Sequence, residues 1–289
     1  ELCRDIALEG IRRLRSGETR DPNFTKDDLR RIMSWACGTQ LDGEYLEMLR
    51  EELSPENRDL RAPDWSKEDY AVDRNFTVAI IGAGMSGILA AYRLKQSGVN
   101  FVIFEKNNAI GGTWLENTYP GCRVDVSNHV YCYSFMQKHD WPHFHSTQEV
   151  LLEYFNECVN HFGIRDDIRF STEVSSAVWD EDSGRWVLEL VGEDGEETFI
   201  CHSIVSAVGQ LNRPSYPDID GRDSFKGPSW HSAQWNHEEN IEGKNVAVIG
   251  TGCSAIQFIP RVAEEAASTT IFQRTPNWLM PRPQYQKEL

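Results

Sequence analysis

The chain is short of several things, and each shortage removes a class of protein. Among its 289 residues, Lys and Arg number only 29 against 45 Asp and Glu, a formal charge of −16. So few cations cannot match a phosphate backbone, which excludes a general nucleic-acid binder. No apolar run is long enough to span a bilayer and no secretory signal opens the chain, so no membrane partner is expected. The seven cysteines include no C-x-x-C pair. That suits reduced thiols in the cytoplasm and argues against a dithiol reductase. His139, His143 and His145 fall in an irregular Trp/Pro stretch without Cys or carboxylate at ligand spacing. They read as solvated or packed side chains, and no metal is expected. An initial Met is also lacking, and the chain stops at Leu289 soon after a second nucleotide unit begins. It reads as part of a longer protein.

What is present begins with two glycine-rich turns, each between an apolar strand and a helix. The first follows Phe76–Ile81 and contains Gly82, Gly84, Met85, Ser86 and Gly87; its next strand, Asn100–Phe104, ends at Glu105. The second follows Asn245–Ile249 and contains Gly250, Thr251, Gly252, Cys253, Ser254 and Ala255; its next strand ends at Arg274 and Thr275. Such turns bring backbone amides and a helix N-terminus to a pyrophosphate. A carboxylate at the strand end accepts hydrogen bonds from a free ribose diol, whereas a guanidinium suits a 2′-phosphate. The contrast predicts FAD at the first site and NADPH at the second. Ala255 replaces the third glycine, a position that mainly governs helix–strand packing.

The predicted architecture is α/β: two Rossmann-like domains with a β-meander, preceded by a helical extension. Residues 1–73 form the extension and its linker, 74–220 the first part of the FAD domain, 221–242 a linker, and 243–289 the start of the NADP domain. Apolar spacing marks helices within residues 1–53, with Thr25 and Asp28 forming a capping box. Pro55, Pro63 and many charges make residues 54–74 a linker. Ser146-Thr-Gln-Glu149 reads as a capping box for a helix through about His161. Ile168–Val178, Arg185–Val191 and Thr198–Val205 read as strands of the meander. Gln210, in the turn after Gly209, is a further candidate for cofactor contact.

Phe225-Lys-Gly227-Pro-Ser-Trp-His231-Ser-Ala-Gln-Trp235 fits F-x-G-x-x-x-H-x-x-x-W. This string resembles the fingerprint of Baeyer–Villiger monooxygenases, class B flavoproteins that turn ketones into esters or lactones. Asn236 stands where that family has Pro or Asp. N- and S-oxidising flavin-containing monooxygenases carry a related string with Phe or Tyr in place of Trp235, so the Trp favours the first group. Residues 111–114, 119–121, Asp125 and 131–135 look like the family's stretch near the flavin, and 273–276 like its NADPH phosphate contact.

The resemblance implies FAD contacts at Lys106, Gly112, Thr113, Trp114, Asp125 and Tyr131, besides the first turn and Glu105. It implies NADP contacts at Arg123, Gln257, Arg274 and Thr275, besides the second turn. Asp125 matches the active-site carboxylate that orients an arginine, which the family supplies from a stretch beyond Leu289. His231 and Trp235 are implied to couple the two nucleotide domains. The implied chemistry is reduction of FAD by NADPH, then insertion of oxygen from O₂ into a ketone through a C4a-peroxyflavin. The helical extension is similar to that of the subgroup typified by 4-hydroxyacetophenone monooxygenase, which points to aryl or cyclic ketones. It is also a candidate homodimer contact. Two other readings stay open: an N- or S-oxygenating flavoprotein, and a catalytically silent nucleotide-binding module.

Overall fold

The computed structural model describes residues 2–16, 25–53 and 59–281. Pro55 of the expected linker lies outside the described residues. The chain divides into two compact units, Glu1–Arg61 and Ala62–Leu289.

The first unit is helical, as its apolar spacing predicts: α1 (Leu2–Arg15), α2 (Lys26–Cys37) and α3 (Gly43–Leu53). Thr25 caps α2, its hydroxyl accepting from the Asp28 amide at 3.1 Å while the Asp28 carboxylate accepts from the Thr25 amide at 3.1 Å. This reciprocal pair is the expected capping box, with Asp in the place of Glu. Leu29 and Met33 of α2 and Leu46 of α3 are buried.

The second unit opens with a short helix, α4 (Lys67–Ala71), where the sequence suggested only a linker. A capping box between Ser66 and Asp69 starts it, and the Lys67 amide donates to the Ser97 carbonyl at 2.8 Å. Next come β1 (Thr77–Ile81), α5 (Met85–Gln96) and β2 (Asn100–Phe104). The strands pair in parallel, Thr77 opposite Asn100. Val78, Ala79 and Ile80 are buried, because helices and sheet enclose both faces of a central parallel strand. After a single turn, α6 (Thr113–Glu116), comes α7 (Gln148–Phe162). It packs Leu151, Tyr154, Phe155, Cys158 and Val159 into the core, and burial pushes the Cys158 thiol up to about 12.

The capping box expected at residues 146–149 does not form. Thr147 is the N-cap of α7 without a side-chain cap bond. The Ser146 hydroxyl accepts instead from the Asn128 amide, and the Asn128 side chain in turn accepts from the Ser146 amide at 3.1 Å.

Two of the predicted strands divide between sheets. Ile168–Val178 becomes β3 (Ile168–Arg169) and β4 (Thr172–Asp180), separated at Ser171, whose φ of 49° breaks the extended run. β5 (Arg185–Gly192) follows. Thr198–Val205 becomes β6 (Gly195–Cys201) and β7 (Ser203–Ser206), parted at His202, whose amide donates to the Thr77 carbonyl at 3.0 Å. The parallel sheet has the order β3-β2-β1-β7, and β4-β5-β6 is the expected antiparallel meander. A second parallel unit, β8 (Asn245–Ile249), α8 (Cys253–Glu265) and β9 (Ser268–Phe272), completes the described α/β fold. Phe258 and Val262 of α8 join the main core cluster.

Candidate functional site

At the first glycine turn the backbone is crowded. Gly82 has a φ of 101°, and a Cβ there would lie 2.8 Å from the Ala207 carbonyl oxygen. A Cβ at Gly87 would lie 1.9 Å from the Gly82 oxygen, so glycine alone lets α5 approach β1 this closely. Gly84 is the N-cap of α5 and offers no side-chain cap, leaving the first amides of the helix for another acceptor.

Glu105, 3 % exposed, reaches back over this turn. One carboxylate oxygen accepts from the Ala83 amide at 2.7 Å and the other from the Asn107 amide at 2.9 Å. The strand-end carboxylate therefore holds the turn in shape, with lone pairs left for further donors. Lys106, the next residue, pairs with Glu116 at 2.8 Å.

A second glycine pair sits against the first turn. The Gly111 amide donates to the Ala83 carbonyl at 3.1 Å, and a Cβ at Gly112 would lie 3.1 Å from the Gly84 Cα. Gly112 is the N-cap of α6 and again supplies no side-chain cap. Two helix starts without side-chain caps, at Met85 and at Thr113, thus adjoin at the facing glycines Gly84 and Gly112. This is the backbone cradle that a pyrophosphate needs.

From α6 the chain leads to an aromatic cluster. The Trp114 indole donates to the Tyr131 hydroxyl at 3.0 Å, and the rings meet edge-to-face at 5.7 Å. Burial raises the Tyr131 phenol, and the exposed Asp125 carboxylate raises it further against the lowering effect of the Trp114 bond. Trp114 and Tyr131 therefore form one group in the stretch that follows the second glycine pair, and the charge of Asp125 acts on its phenol. Gln210 is exposed, in the return turn that follows the Ala207 contact with Gly82.

The second glycine turn is open. Gly250 has a φ of 102°, yet nothing lies within 4 Å of a Cβ placed there or at Gly252. Gly252 caps α8 without a side-chain bond. The Thr251 hydroxyl donates to the Thr275 carbonyl at 3.5 Å and accepts from the Gln273 amide at 3.2 Å, while the Asn277 amide donates to the Thr251 carbonyl. These bonds fasten the strand end, with its exposed Arg274, beside the turn. Gln273 lies in the 273–276 string already singled out, whereas Asn277 escaped the sequence reading, because a polar residue after a strand carries no signal until its partner is known. Ala255 and Phe258 are buried, and Cys253 is exposed at the first position of α8.

Between the turns lies the 221–242 segment. Phe225 is exposed and its ring lies over Gly227, where a Cβ would meet it at 2.6 Å. The His231 ring accepts from the Ala233 amide at 3.1 Å, which requires that nitrogen to be unprotonated. Trp235 contacts Phe258 at 5.2 Å and Trp230 at 5.7 Å. His231 thus orders the linker, and Trp235 seats it on α8. The Thr118 hydroxyl and the His237 ring meet at 2.8 Å. Among the described residues, no group of three or more His, Cys, Asp or Glu could hold a metal ion, and no helix is long and apolar enough to cross a membrane.

Two strand–glycine turn–helix–strand units joined by an aromatic linker define a paired dinucleotide-type fold. The chain belongs to the flavin-binding monooxygenase-like family, whose profile matches residues 75–287. It is 42% identical over 216 residues to a Baeyer-Villiger monooxygenase of Streptomyces coelicolor, covering 74% of this chain and 41% of that one. It is 36% identical over 286 residues to an uncharacterized monooxygenase of Sinorhizobium fredii, covering 98% of this chain, helical extension included, and 42% of the relative. Among solved structures it resembles OTEMO in complex with FAD and NADP, with a TM-score of 0.67 at 36% identity over 73% of this chain and 42% of that one. The chain thus spans about two-fifths of the length of these relatives.

Proposed function

We propose that this chain is the nucleotide-binding part of a Baeyer–Villiger monooxygenase that uses FAD, NADPH and O₂ to convert ketones to esters or lactones. The single observation that carries the reading is the opposed chemistry of the two strand ends. Glu105 is buried and bound to the first turn, whereas Arg274 is exposed beside the second. A carboxylate held by backbone donors accepts from ribose hydroxyls, and a free guanidinium grips a phosphate monoester.

In this reading the amides of Met85, Ser86, Gly112 and Thr113 hold the FAD pyrophosphate between the facing glycines. Trp114, Tyr131 and Asp125 lie towards its ring. Thr251, Cys253, Ser254 and the rest of the second turn hold the NADPH pyrophosphate, with Arg274 and Thr275 on the 2′-phosphate. The flavin supplies the hydride acceptance and oxygen activation; the protein orients it and sets local charge. Asp125 orients an arginine from elsewhere in the full protein, and His231 and Trp235 transmit domain movement. Aryl or cyclic ketones are the proposed substrates, in a protein of the subgroup typified by 4-hydroxyacetophenone monooxygenase, with the helical extension as a dimer contact. Free thiols at all six described cysteines support a reducing compartment such as the cytoplasm.

The test uses the full-length protein. It is expected to purify with bound flavin, to oxidise NADPH faster when an aryl or cyclic ketone is added, and to yield the ester or lactone by mass spectrometry. A colourless protein that takes up no added FAD would overturn the reading. Oxygenation of an amine or sulfide but of no ketone would reassign it to the N- and S-oxygenating group.

A further inference from the structure

Arg123 forms an isolated antiparallel bridge with Thr147. The Val124 amide donates to the Ser146 carbonyl at 3.1 Å and the Gln148 amide to the Cys122 carbonyl at 2.9 Å. Those bonds belong to the residues flanking Arg123, so its own N–H and C=O face the opposite side. Both are taken by one side chain. The Arg123 amide donates to Gln257 Oε1 at 3.1 Å, and Gln257 Nε2 donates to the Arg123 carbonyl at 3.0 Å. The glutamine amide thus pairs with the backbone as a neighbouring strand would. The Tyr119 hydroxyl donates to the same Oε1 at 3.0 Å, and its ring lies 6.0 Å from Phe258, the next residue of α8. Ser254 is within hydrogen-bonding reach of the same phenol, whose ionisation is pushed up chiefly by burial. Gly121, at a φ of 80°, brings the loop so close that a Cβ there would lie 3.1 Å from the Gln257 carbonyl oxygen.

We infer that Gln257 is a positioning residue that clamps the first turns of α8, and with them the second glycine turn, onto the Tyr119–Arg123 segment. This rests on the two-nucleotide reading above and corrects one part of it, since it makes the Gln257 side chain a latch within the protein and not a ligand of NADP. On the other side, the Gln148 amide donates to the Cys122 carbonyl at 2.9 Å and Gln148 Nε2 donates to the Trp114 carbonyl, in the helical turn that follows Gly112 and its contact with Gly84. The clamp therefore fixes the distance and angle between the two nucleotide turns. Hydride transfer requires near-contact geometry, and a displacement of about 1 Å can cost about a hundredfold in rate. Only an amide serves: a carboxylate would set an oxygen against the Arg123 carbonyl, and an aliphatic side chain would leave both Arg123 backbone groups without these partners.

Gln257→Leu, Gln257→Glu and Tyr119→Phe in the full-length protein test this by three measurements. These are exchange of the Arg123 amide hydrogen in the flavin-free protein, NADP⁺ affinity of the flavin-loaded protein, and anaerobic flavin reduction at saturating NADPH. Both Gln257 variants are expected to raise Arg123 exchange by about tenfold or more and to slow saturated reduction by about tenfold to a hundredfold. NADP⁺ affinity should stay within about threefold, because no nucleotide contact is lost. Tyr119→Phe, which removes one of three bonds, should give a smaller slowing in the same direction, and it carries the comparison if Gln257→Leu fails to fold. Weakened NADP⁺ binding with an unchanged saturated rate would make Gln257 a nucleotide ligand and overturn the inference. Arg123 exchange equal to wild type would also overturn it. A wild type that NADPH cannot reduce would refute the two-nucleotide reading instead, and Arg123 exchange would still decide the latch.

Discussion

A Cβ at Gly87 would fall 1.9 Å from the Gly82 carbonyl oxygen, whereas Ala255, at the corresponding place in the second turn, carries its Cβ without conflict. The first turn is crowded on three sides: by the Ala207 carbonyl, by the Gly112 backbone and by the buried Glu105 carboxylate on the Ala83 amide. The second is open around Gly250 and Gly252, and its strand-end charge is solvated. One motif thus takes two physical forms. A crowded turn whose shape is set by internal hydrogen bonds suits a resident cofactor, and an open one suits a nucleotide that comes and goes. The helix after the open turn, α8, is held instead by the Gln257 contacts with Tyr119 and Arg123.

The comparison is broken most directly by exchanging the small residues. Gly87→Ala should destabilise the second unit by about 3 kcal/mol or more, because the methyl group has no free volume to enter. That corresponds to a fall of roughly 6–12 °C in melting temperature, with loss of bound flavin. Ala255→Gly should cost only about 1 kcal/mol, the helix-propensity difference. Equal effects of the two substitutions in thermal unfolding would show that the turns are packed alike.

Glu105→Gln comes next. A glutamine keeps one acceptor but turns an NH₂ group towards one of the two backbone donors, for a loss of about 2 kcal/mol by denaturant unfolding and weakened flavin retention. A neutral result would mean that the carboxylate does not shape the turn. Arg274→Ala sharpens the contrast from the other side. As an exposed side chain it should change stability by less than about 0.5 kcal/mol. Affinity for NADPH should nevertheless drop about tenfold to a hundredfold, while affinity for NADH holds, as the loss of a charge-assisted phosphate contact requires. An equal loss for both nucleotides would remove the 2′-phosphate from Arg274.

Local grammar made much of the fold readable. β2 has the bounds expected from Asn100–Phe104, and β1 begins one residue inside its predicted run. In both, a short apolar segment ends in a glycine or an acid, and strand period, turn and helix agree. The α2 cap was equally legible, since Thr25 and Asp28 are three residues apart and need no distant partner. The same signature misled at residues 146–149, where Asn128, eighteen residues away, takes the serine that was to cap α7. Ile168–Val178 and Thr198–Val205 read as unbroken strands because β propensity does not say which sheet a residue joins. The break at Ser171 and the crossing at His202 follow from pairing to Phe104 and to β1.

By itself the sequence determined the two nucleotide grammars, the acid and the arginine that tell them apart, and the fingerprint that links them. Each is a contiguous pattern whose meaning lies in short-range backbone geometry. Tertiary structure decided how crowded each turn is, where the long strands change sheets, and that Gln257 binds the backbone of Arg123. Those outcomes depend on groups brought together from distant parts of the chain, from Ala83 and Glu105 at a separation of 22 to Gln257 and Arg123 at 134. Nothing in a hydrogen-bonding side chain specifies its partner until the chain has folded around it.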